Sequence, residues 1–343
     1  MLFDRQNFKI SHKMLHRVLI IFAFGLFFAC RDKSKNQEEK EPVTRIVNVP
    51  LFNGDTAYHF VEKQVKFGPR VPNTKAHQAA GDYFVSQFIK YGAVITEQKF
   101  DAVSFDGQHL ALRNIIASFN PEQQKRILLA AHWDTRPFAD KDEIKPDAPF
   151  DGADDGASGV GVLLEVARLL SKNAATVGID IILFDGEDWG EKNSSSGQVH
   201  LPEGQQSWWC LGSQYWSKHK HKKNYSAYYG ILLDMVGSKR AHFYREGLSL
   251  EYAPAIVEKV WGTAARLGYS DFFVKQNSSE ITDDHQFVNH IANIPMIDIV
   301  HYHPVLGYFG DYHHTQKDNL DLISKETLQA VGITITNVIY YEE

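Results

Sequence analysis

Cysteine is scarce in this sequence, and so are several other features that would point to common protein classes. Only Cys30 and Cys210 occur in 343 residues, so the body of the chain holds one thiol and packing rather than disulfides must stabilise the fold. Cys210 lies between Trp209 and Leu211, a setting that predicts a buried structural thiol. The net charge of −6 shows no basic excess, which argues against binding to nucleic-acid phosphates.

The N-terminus has the features of a secretory signal. Four basic residues precede an apolar run at residues 18–29 that is too short to span a bilayer comfortably. Residues 1–29 are therefore predicted to be a signal peptide, whose removal takes away four basic residues and one acidic residue and changes the net charge from −6 to −9. The Ala29-Cys30 junction resembles a bacterial lipoprotein cleavage site. It predicts an exported, periplasmic or cell-surface protein anchored to the membrane through a lipid on Cys30; cleavage without lipid, or an uncleaved anchor, is the alternative.

The rest of the chain divides into a tether and one large domain. Residues 30–49 are polar and charged, which predicts a flexible tether, and residues 50–343 are expected to form one monomeric catalytic domain. Apolar spacing predicts helices at 55–66, 74–89, 157–170, near 213, 251–267 and 325–340, and strands at 94–100, 110–118, 126–131, 178–184, 227–234, near 272 and 295–300. This alternation predicts an α/β fold with a central, twisted, mixed and largely parallel sheet flanked by helices on both faces.

Acids and histidines follow three of the predicted strands. His132 and Asp134 follow the first, the segment Asp185–Asp188 follows the second, and Asp234 ends the third. In open α/β sheets, ligands bind at the carboxyl ends of the strands. A fourth segment, Gly152–Gly159, leads into an apolar helix; taken alone, its Asp154 or Asp155 is equally well explained as a helix cap.

These segments together supply the side chains that zinc prefers. Zinc binds carboxylate oxygen and imidazole nitrogen with about four ligands, and a catalytic site keeps one position open for water or substrate. Three protein ligands from separate segments satisfy that count. The candidates are His132, Asp155, Asp188, Asp234 and His314. From the residues alone, the chain is predicted to be a metal-dependent, hydrolase-like α/β enzyme.

The ordered motifs resemble those of the glutaminyl cyclase family, within the zinc aminopeptidase superfamily. The resemblance runs from about residue 55 to the C-terminus and rests on the set of motifs in this order rather than on any one of them. The motifs are Ala131–Pro137, Gly152–Gly159, Phe184–Asp188, Trp209–Gln214, Leu232–Gly237, Ile281–His285 and His314–Asn319.

The resemblance implies a role for seven side chains. Asp155, Asp188 and His314 match the ligands of one zinc ion, although animal members carry Glu where this chain has Asp188. Glu187 matches the general acid/base, Asp234 and Asp283 match two acids hydrogen-bonded around it, and Trp209 matches a wall of the substrate pocket. A second zinc site through His132 and Asp234 stays open.

The resemblance also implies an activity. A glutaminyl-peptide cyclotransferase would act on peptides or proteins with an N-terminal Gln and convert that residue to pyroglutamate with release of ammonia. Two alternatives remain from the sequence. One is a two-zinc aminopeptidase that hydrolyses the first peptide bond, and the other is a non-catalytic peptide-binding lipoprotein, against which the intact Glu187 argues.

Overall fold

The computed structural model describes residues 47–192 and 200–342. The predicted signal peptide, Cys30 and the predicted tether up to residue 46 lie outside the described residues. Val47 and Val49 pack against the main core, and the predicted start of the domain at residue 50 stays a prediction. Within these two ranges, no helix combines the length and apolar content needed to cross a membrane.

Among the described residues, eight strands form two sheets. In chain order they are β1 (Val94–Val103), β2 (His109–Phe119), β3 (Arg126–His132), β4 (Gly178–Phe184), β5 (Tyr229–Asp234), β6 (Phe243–Arg245), β7 (Phe273–Asn277) and β8 (Met296–Val300). The central sheet has six strands in the order β1-β2-β4-β3-β5-β8, and β6 pairs with β7. β2 is antiparallel to both neighbours, whereas β4, β3, β5 and β8 are parallel. The predicted α/β fold with a mixed, largely parallel sheet is confirmed.

Helices cover both faces of this sheet. They are α1 (Gly54–Val65), α2 (Lys75–Lys90), α3 (Ala157–Leu170), α4 (Leu211–Lys218), α5 (Gly247–Tyr252), α6 (Pro254–Arg266), α7 (Asp284–Phe287) and α8 (Lys325–Tyr340). Side chains alternate across β3: Ile127 and Leu129 join a core that includes residues of α1, α2, α3, α6 and α8, while Leu128 packs with Trp216 of α4. Two apolar layers therefore hold the central strands rigidly, which fixes where their ends lie.

Local chemistry explains where several helices begin. The side chain of Thr74 accepts a hydrogen bond from the backbone of His77 at the start of α2, and Ser324 accepts one from Thr327 at the start of α8. The single helix predicted at 251–267 is wrong, because α5 ends at Tyr252 and α6 begins at Pro254, with Ala253 between them. Pro254 has no N–H to donate and disfavours helical geometry at the residue before it.

Candidate metal centre and active site

The predicted site residues meet at the carboxyl ends of the parallel strands. β3 ends at His132 and β5 ends at Asp234, while the turn after β4 carries Glu187 and Asp188. Asp155 arrives from the loop before α3, and His314 from the loop between β8 and α8. The parallel pairing of β3 with β4 and β5 brings these ends together at one edge of the sheet.

The loop that carries Asp155 is tightly constrained. Gly156 has a φ of +78°, and a Cβ atom there would lie 2.9 Å from the His132 ring, so this position requires glycine. The Asp318 carboxylate accepts hydrogen bonds from the backbone N–H groups of Asp154, at 2.7 Å, and Asp155, at 3.1 Å. The interpretation of Asp154 or Asp155 as a helix cap is wrong, because Gly156 is the N-cap of α3 and no side chain caps it.

A second buried carboxylate fixes the turn after β4. Asp134 accepts hydrogen bonds from the backbone N–H groups of Glu187, at 3.1 Å, and Asp188, at 3.2 Å. The backbone N–H of Arg136 donates to Asp188 Oδ2 at 3.1 Å. The backbone and one oxygen of Asp188 are therefore held, which directs its other oxygen, Oδ1, toward His314.

Asp155 and Asp188 each bring a carboxylate oxygen close to His314. His314 Nε2 lies 3.0 Å from Asp188 Oδ1 and 3.6 Å from Asp155 Oδ2. Both oxygens are buried and have no hydrogen-bond partner, a costly arrangement that a cation would relieve. His314 Nδ1 lies 3.3 Å from Asp140 Oδ1, which resembles the carboxylate that commonly orients a metal-binding imidazole. Two carboxylates and one imidazole fit zinc with a position left open.

A second group of potential ligands shares Asp155 with the first. His132 Nε2 lies 3.1 Å from Asp155 Oδ1 and 3.2 Å from Asp234 Oδ1, and the ligand atoms of all three residues lie within 4.8 Å of one another. His313 also approaches Asp155, with 3.9 Å between Nε2 and Oδ2, and its Nδ1 accepts a hydrogen bond from Lys141 Nζ at 2.6 Å. In the sequence pattern alone, His313 does not differ from ordinary loop histidines.

A cavity of about 410 Å³ opens onto these groups. It is lined by all seven predicted side chains, together with others that include Arg136, Lys141, Tyr308 and Phe309. The seven are Asp155, Glu187, Asp188, Trp209, Asp234, Asp283 and His314. Trp209 is half-buried, and the Arg136 guanidinium lies 4.7 Å from its ring centre. The lining of the cavity thus combines aromatic side chains with carboxylates.

The carboxyl groups beside the metal candidates have raised proton affinity. Burial raises the pKa of Glu187 well above its ordinary value; His132 opposes this shift, and the nearby Asp188 and Asp283 add to it. Burial likewise raises the pKa of Asp283, and it raises that of Asp234 to about 8. A carboxyl whose pKa lies closer to neutrality can both accept and donate a proton.

Several supporting residues were missed by sequence reasoning. Asp318 and Asp140 look like ordinary loop acids in the sequence, and Asp134 stands out there only because it follows a predicted strand. Asp298 did carry a signal, because it is a charged residue inside the apolar strand β8. It is fully buried, and its ligand atoms lie within 4.8 Å of those of Asp283 and His285.

Comparisons with known proteins identify the family of the chain. The model of Peptidase family M28 matches residues 114–339. A Zn-dependent exopeptidase from Parabacteroides distasonis is 50% identical, with a TM-score of 0.82, over 86% of this chain and 100% of that chain. The glutaminyl cyclase of Bacteroides thetaiotaomicron, bound to N-acetylhistamine, is 49% identical with the same TM-score and the same coverage.

A more distant relative extends the similarity beyond bacteria. The glutaminyl-peptide cyclotransferase of Drosophila melanogaster is 26% identical over 294 residues, which cover 78% of this chain and 75% of that protein. The resemblance drawn from the sequence motifs is thereby confirmed. The chain belongs to peptidase family M28, and bacterial glutaminyl cyclases are among the close structural relatives of this chain.

Proposed function

We propose that this chain is a zinc-dependent glutaminyl-peptide cyclotransferase. It would convert an N-terminal Gln of peptides or proteins to pyroglutamate, with release of ammonia. The observation that carries the proposal is the 49% identity with the glutaminyl cyclase of Bacteroides thetaiotaomicron over the whole of that chain, combined with a cavity lined by all seven motif-matched side chains. Asp155, Asp188 and His314 would hold one zinc ion.

The zinc ion, when bound, supplies a Lewis acid beside the carbonyl group of the substrate's side-chain amide. The chain's own residues do the rest. Asp188 and Asp155 are fixed by hydrogen bonds to their backbones and His314 by Asp140, so the ligands are held in place before a substrate arrives. The aromatic face of Trp209 would pack against the uncharged Gln side chain.

Glu187 would transfer the proton that cyclisation requires. The substrate's α-amine must lose a proton as its nitrogen attacks the side-chain amide carbon, and the departing nitrogen must gain one to leave as ammonia. Glu187 lines the cavity and its pKa is raised by burial, so its carboxylate can take the first proton and return it to the leaving group. The bond to ammonia breaks as the ring closes, and no water is consumed.

Asp234 and Asp283 would bind the polar groups around this reaction. Both are buried and line the same cavity, and the carboxylate oxygens of Asp283 and Glu187 lie within 4.8 Å of each other. Like-charge repulsion at this distance raises the proton affinity of the pair. Asp234 would accept a hydrogen bond from the α-amine and orient its lone pair.

A two-zinc aminopeptidase is the second candidate, and one observation favours it. His132, Asp155 and Asp234 form a second ligand group around the shared Asp155, and the Parabacteroides distasonis relative is described as a Zn-dependent exopeptidase. In that case water would replace the α-amine as the nucleophile. The same fold would then break a peptide bond.

Export and membrane anchoring remain part of the proposal on sequence grounds alone. The apolar run at residues 18–29 and Cys30 would place the catalytic domain in the periplasm or at the cell surface, tethered to a membrane by a lipid. Labelling with a radioactive fatty acid in wild type and in Cys30→Ser would test this directly.

Product analysis separates the two activities. The purified chain is incubated with a Gln-initiated peptide, with the same peptide initiated by Asn, and with aminoacyl arylamides. We expect one ammonia per pyroglutamate from the Gln peptide, none from the Asn peptide, whose shorter side chain cannot close the five-membered ring, and no arylamide hydrolysis. Arylamide hydrolysis without ammonia release, by a chain that carries two zinc ions, would exclude cyclisation.

A further inference from the structure

Cys210 contacts Glu187 through both its backbone and its side chain. It is the one thiol among residues 47–192 and 200–342, and it is fully buried. Its backbone N–H donates to the Glu187 carbonyl at 2.9 Å, and its Sγ lies 3.2 Å from Glu187 Oε1. Cys210, which the sequence predicts to be a packed structural thiol, thus contacts the Glu187 carboxylate that is proposed to transfer the proton.

The backbone at Cys210 is held in an unusual conformation. Its φ of 59° and ψ of 39° lie in the left-handed region, which is uncommon for a residue with a side chain. Leu211 N–H donates to the Gly186 carbonyl at 3.0 Å, and Ser213 Oγ donates to the Cys210 carbonyl at 3.1 Å. These bonds fix the turn before α4 and therefore the direction of the thiol.

The surroundings of the thiol keep it protonated. Burial raises the pKa of Cys210 well above its ordinary value, and the nearby Glu187, Asp284 and Asp283 raise it further. A thiolate nucleophile is disfavoured in such a setting. The proton must therefore lie on sulfur, and Glu187 Oε1 is the acceptor within reach.

We propose that Cys210 is a positioning residue whose S–H donates a hydrogen bond to Glu187 Oε1. This bond holds the carboxylate in one rotamer and leaves its other oxygen, Oε2, for proton transfer with the substrate. The role rests on the proposed function of Glu187.

Infrared spectroscopy tests the contact without reference to activity. In the full chain carrying Cys30→Ser, Cys210 is the one remaining thiol, so its S–H stretching band has a single source. Because an amide is a weaker acceptor than a carboxylate, Glu187→Gln should shift this band to higher frequency. An unchanged band would refute the hydrogen bond, and this readout stands even if the chain turns out to be a hydrolase.

Kinetics test whether the contact matters for turnover. Cys210→Ala should lower kcat about 10-fold, as expected for the loss of one hydrogen bond to a charged group, with KM changed less than about twofold. Cys210→Ser, which keeps a donor of similar size, should recover most of that loss. Full activity in Cys210→Ala, or an equal loss in both variants, would overturn the role.

The Glu187→Gln background separates positioning from packing. If Cys210 acts through Glu187, adding Cys210→Ala to Glu187→Gln should lower the residual rate no further. A packing role would lower the rate in both backgrounds, together with the melting temperature, and that result would contradict the proposal. Failure of the wild-type chain to release ammonia would instead remove the proposed cyclisation while leaving the infrared result valid.

Discussion

Two buried charged clusters lie at opposite ends of the parallel strands, and they differ in how completely they are hydrogen-bonded. At the amino ends of β3 and β4, Asp180 Oδ2 accepts from Arg126 Nε at 2.5 Å and from the Tyr225 hydroxyl at 2.8 Å. Its Oδ1 accepts from Ser118 Oγ at 2.5 Å and from Arg126 Nη2 at 2.8 Å. Every oxygen of this buried carboxylate has partners within the protein.

The cluster at the carboxyl ends is incomplete by the same measure. Several of its buried polar atoms have no hydrogen-bond partner, and they belong to different elements of the fold. They include His132 Nδ1, Asp155 Oδ2, Asp188 Oδ1, Asp283 Oδ2 and both carboxylate oxygens of Asp298. Buried polar atoms destabilise the folded state when they have no hydrogen-bond partner. The comparison teaches that the completed cluster supports the fold, whereas the incomplete one leaves buried ligand atoms that the proposed cation would satisfy.

The largest effect should come from the proton-transfer residue of the incomplete cluster. Glu187→Gln removes the group proposed to move the proton while preserving its shape, so turnover of a Gln-initiated peptide should fall by about 100- to 10,000-fold. Zinc content should stay unchanged, since Glu187 is not a proposed ligand. The exposed Glu143→Gln serves as the matched control, and undiminished turnover in Glu187→Gln would remove this residue from the mechanism.

The completed cluster should show the opposite behaviour. Arg126→Met leaves Asp180 as a buried charge without its main partner, which should lower the free energy of unfolding by about 3–5 kcal/mol. Specific activity per folded molecule should be unaffected, because the cluster lies at the far end of the strands. Denaturant unfolding measures the first quantity, with the exposed Arg266→Met as control; equal stability of the two variants would refute this assignment.

Glu246 is a buried carboxylate that is fully hydrogen-bonded and contacts His285, near the candidate active site. Its carboxylate accepts hydrogen bonds from the backbone N–H groups of Leu248, Ser249 and Ile281 and approaches His285 Nε2 at 3.1 Å. Burial alone would raise its pKa, but the bonds from His285 and Ser249 lower it to about 2, from an ordinary value of 4.5. The depressed pKa contributes stability that is present above pH 4.5 and lost as the pH falls toward 2.

This linkage predicts a difference between wild type and Glu246→Gln in acid. Between about pH 5 and pH 2, wild type should lose about 3 kcal/mol of unfolding free energy more than the variant, which has no proton to take up at this position. Denaturant titrations at both pH values measure the difference. Glu258→Gln, at an exposed carboxylate paired with Arg245, should follow wild type, and parallel losses in all three proteins would contradict the assignment.

A smaller effect is expected at Asp140, whose carboxylate is placed to orient the proposed zinc ligand His314. Asp140 lies 3.3 Å from His314 Nδ1 and is also bound by Arg136. Asp140→Asn should weaken zinc affinity about 10- to 100-fold, the usual cost of losing a carboxylate that orients a metal-binding imidazole. Competition with a chromophoric chelator measures this affinity. Asp147→Asn, at an exposed position, should leave it unchanged, and an unaltered affinity in Asp140→Asn would show that Asp140 does not orient His314.

Much of the fold could be predicted from local patterns in the sequence. The bounds of α3 and α8 match the predicted bounds at 157–170 and 325–340. Each helix is long enough for the apolar pattern to repeat several times, and Ser324 marks the start of α8. β4 also matches, since a fully buried strand reads as one continuous apolar run. The break at Ala253 was missed even though Pro254 signals it. β6 and α7 have only three and four residues, too few for a period to show.

The site was predictable only in part, for a physical reason. The seven predicted side chains follow strands or match ordered motifs, so their position in the sequence already shows where they meet. Asp134 and Asp318 act through hydrogen bonds to backbone groups more than fifty residues away, and such partners are set by tertiary structure. The contact of Cys210 with Glu187 likewise depends on how the turn before α4 folds back onto the turn after β4.

Adding zinc to protein from which a chelator has removed metal tests the central claim most directly, because that claim is that a cation completes the incomplete cluster. Thermal unfolding is measured with and without zinc in wild type, Asp155→Asn and Arg126→Met, alongside zinc per chain. At about 100 times the dissociation constant, one bound ion should stabilise wild type and Arg126→Met equally, by about 2.7 kcal/mol, and Asp155→Asn far less. Equal stabilisation of Asp155→Asn and wild type, or two tightly bound zinc ions per wild-type chain, would contradict the single-zinc account.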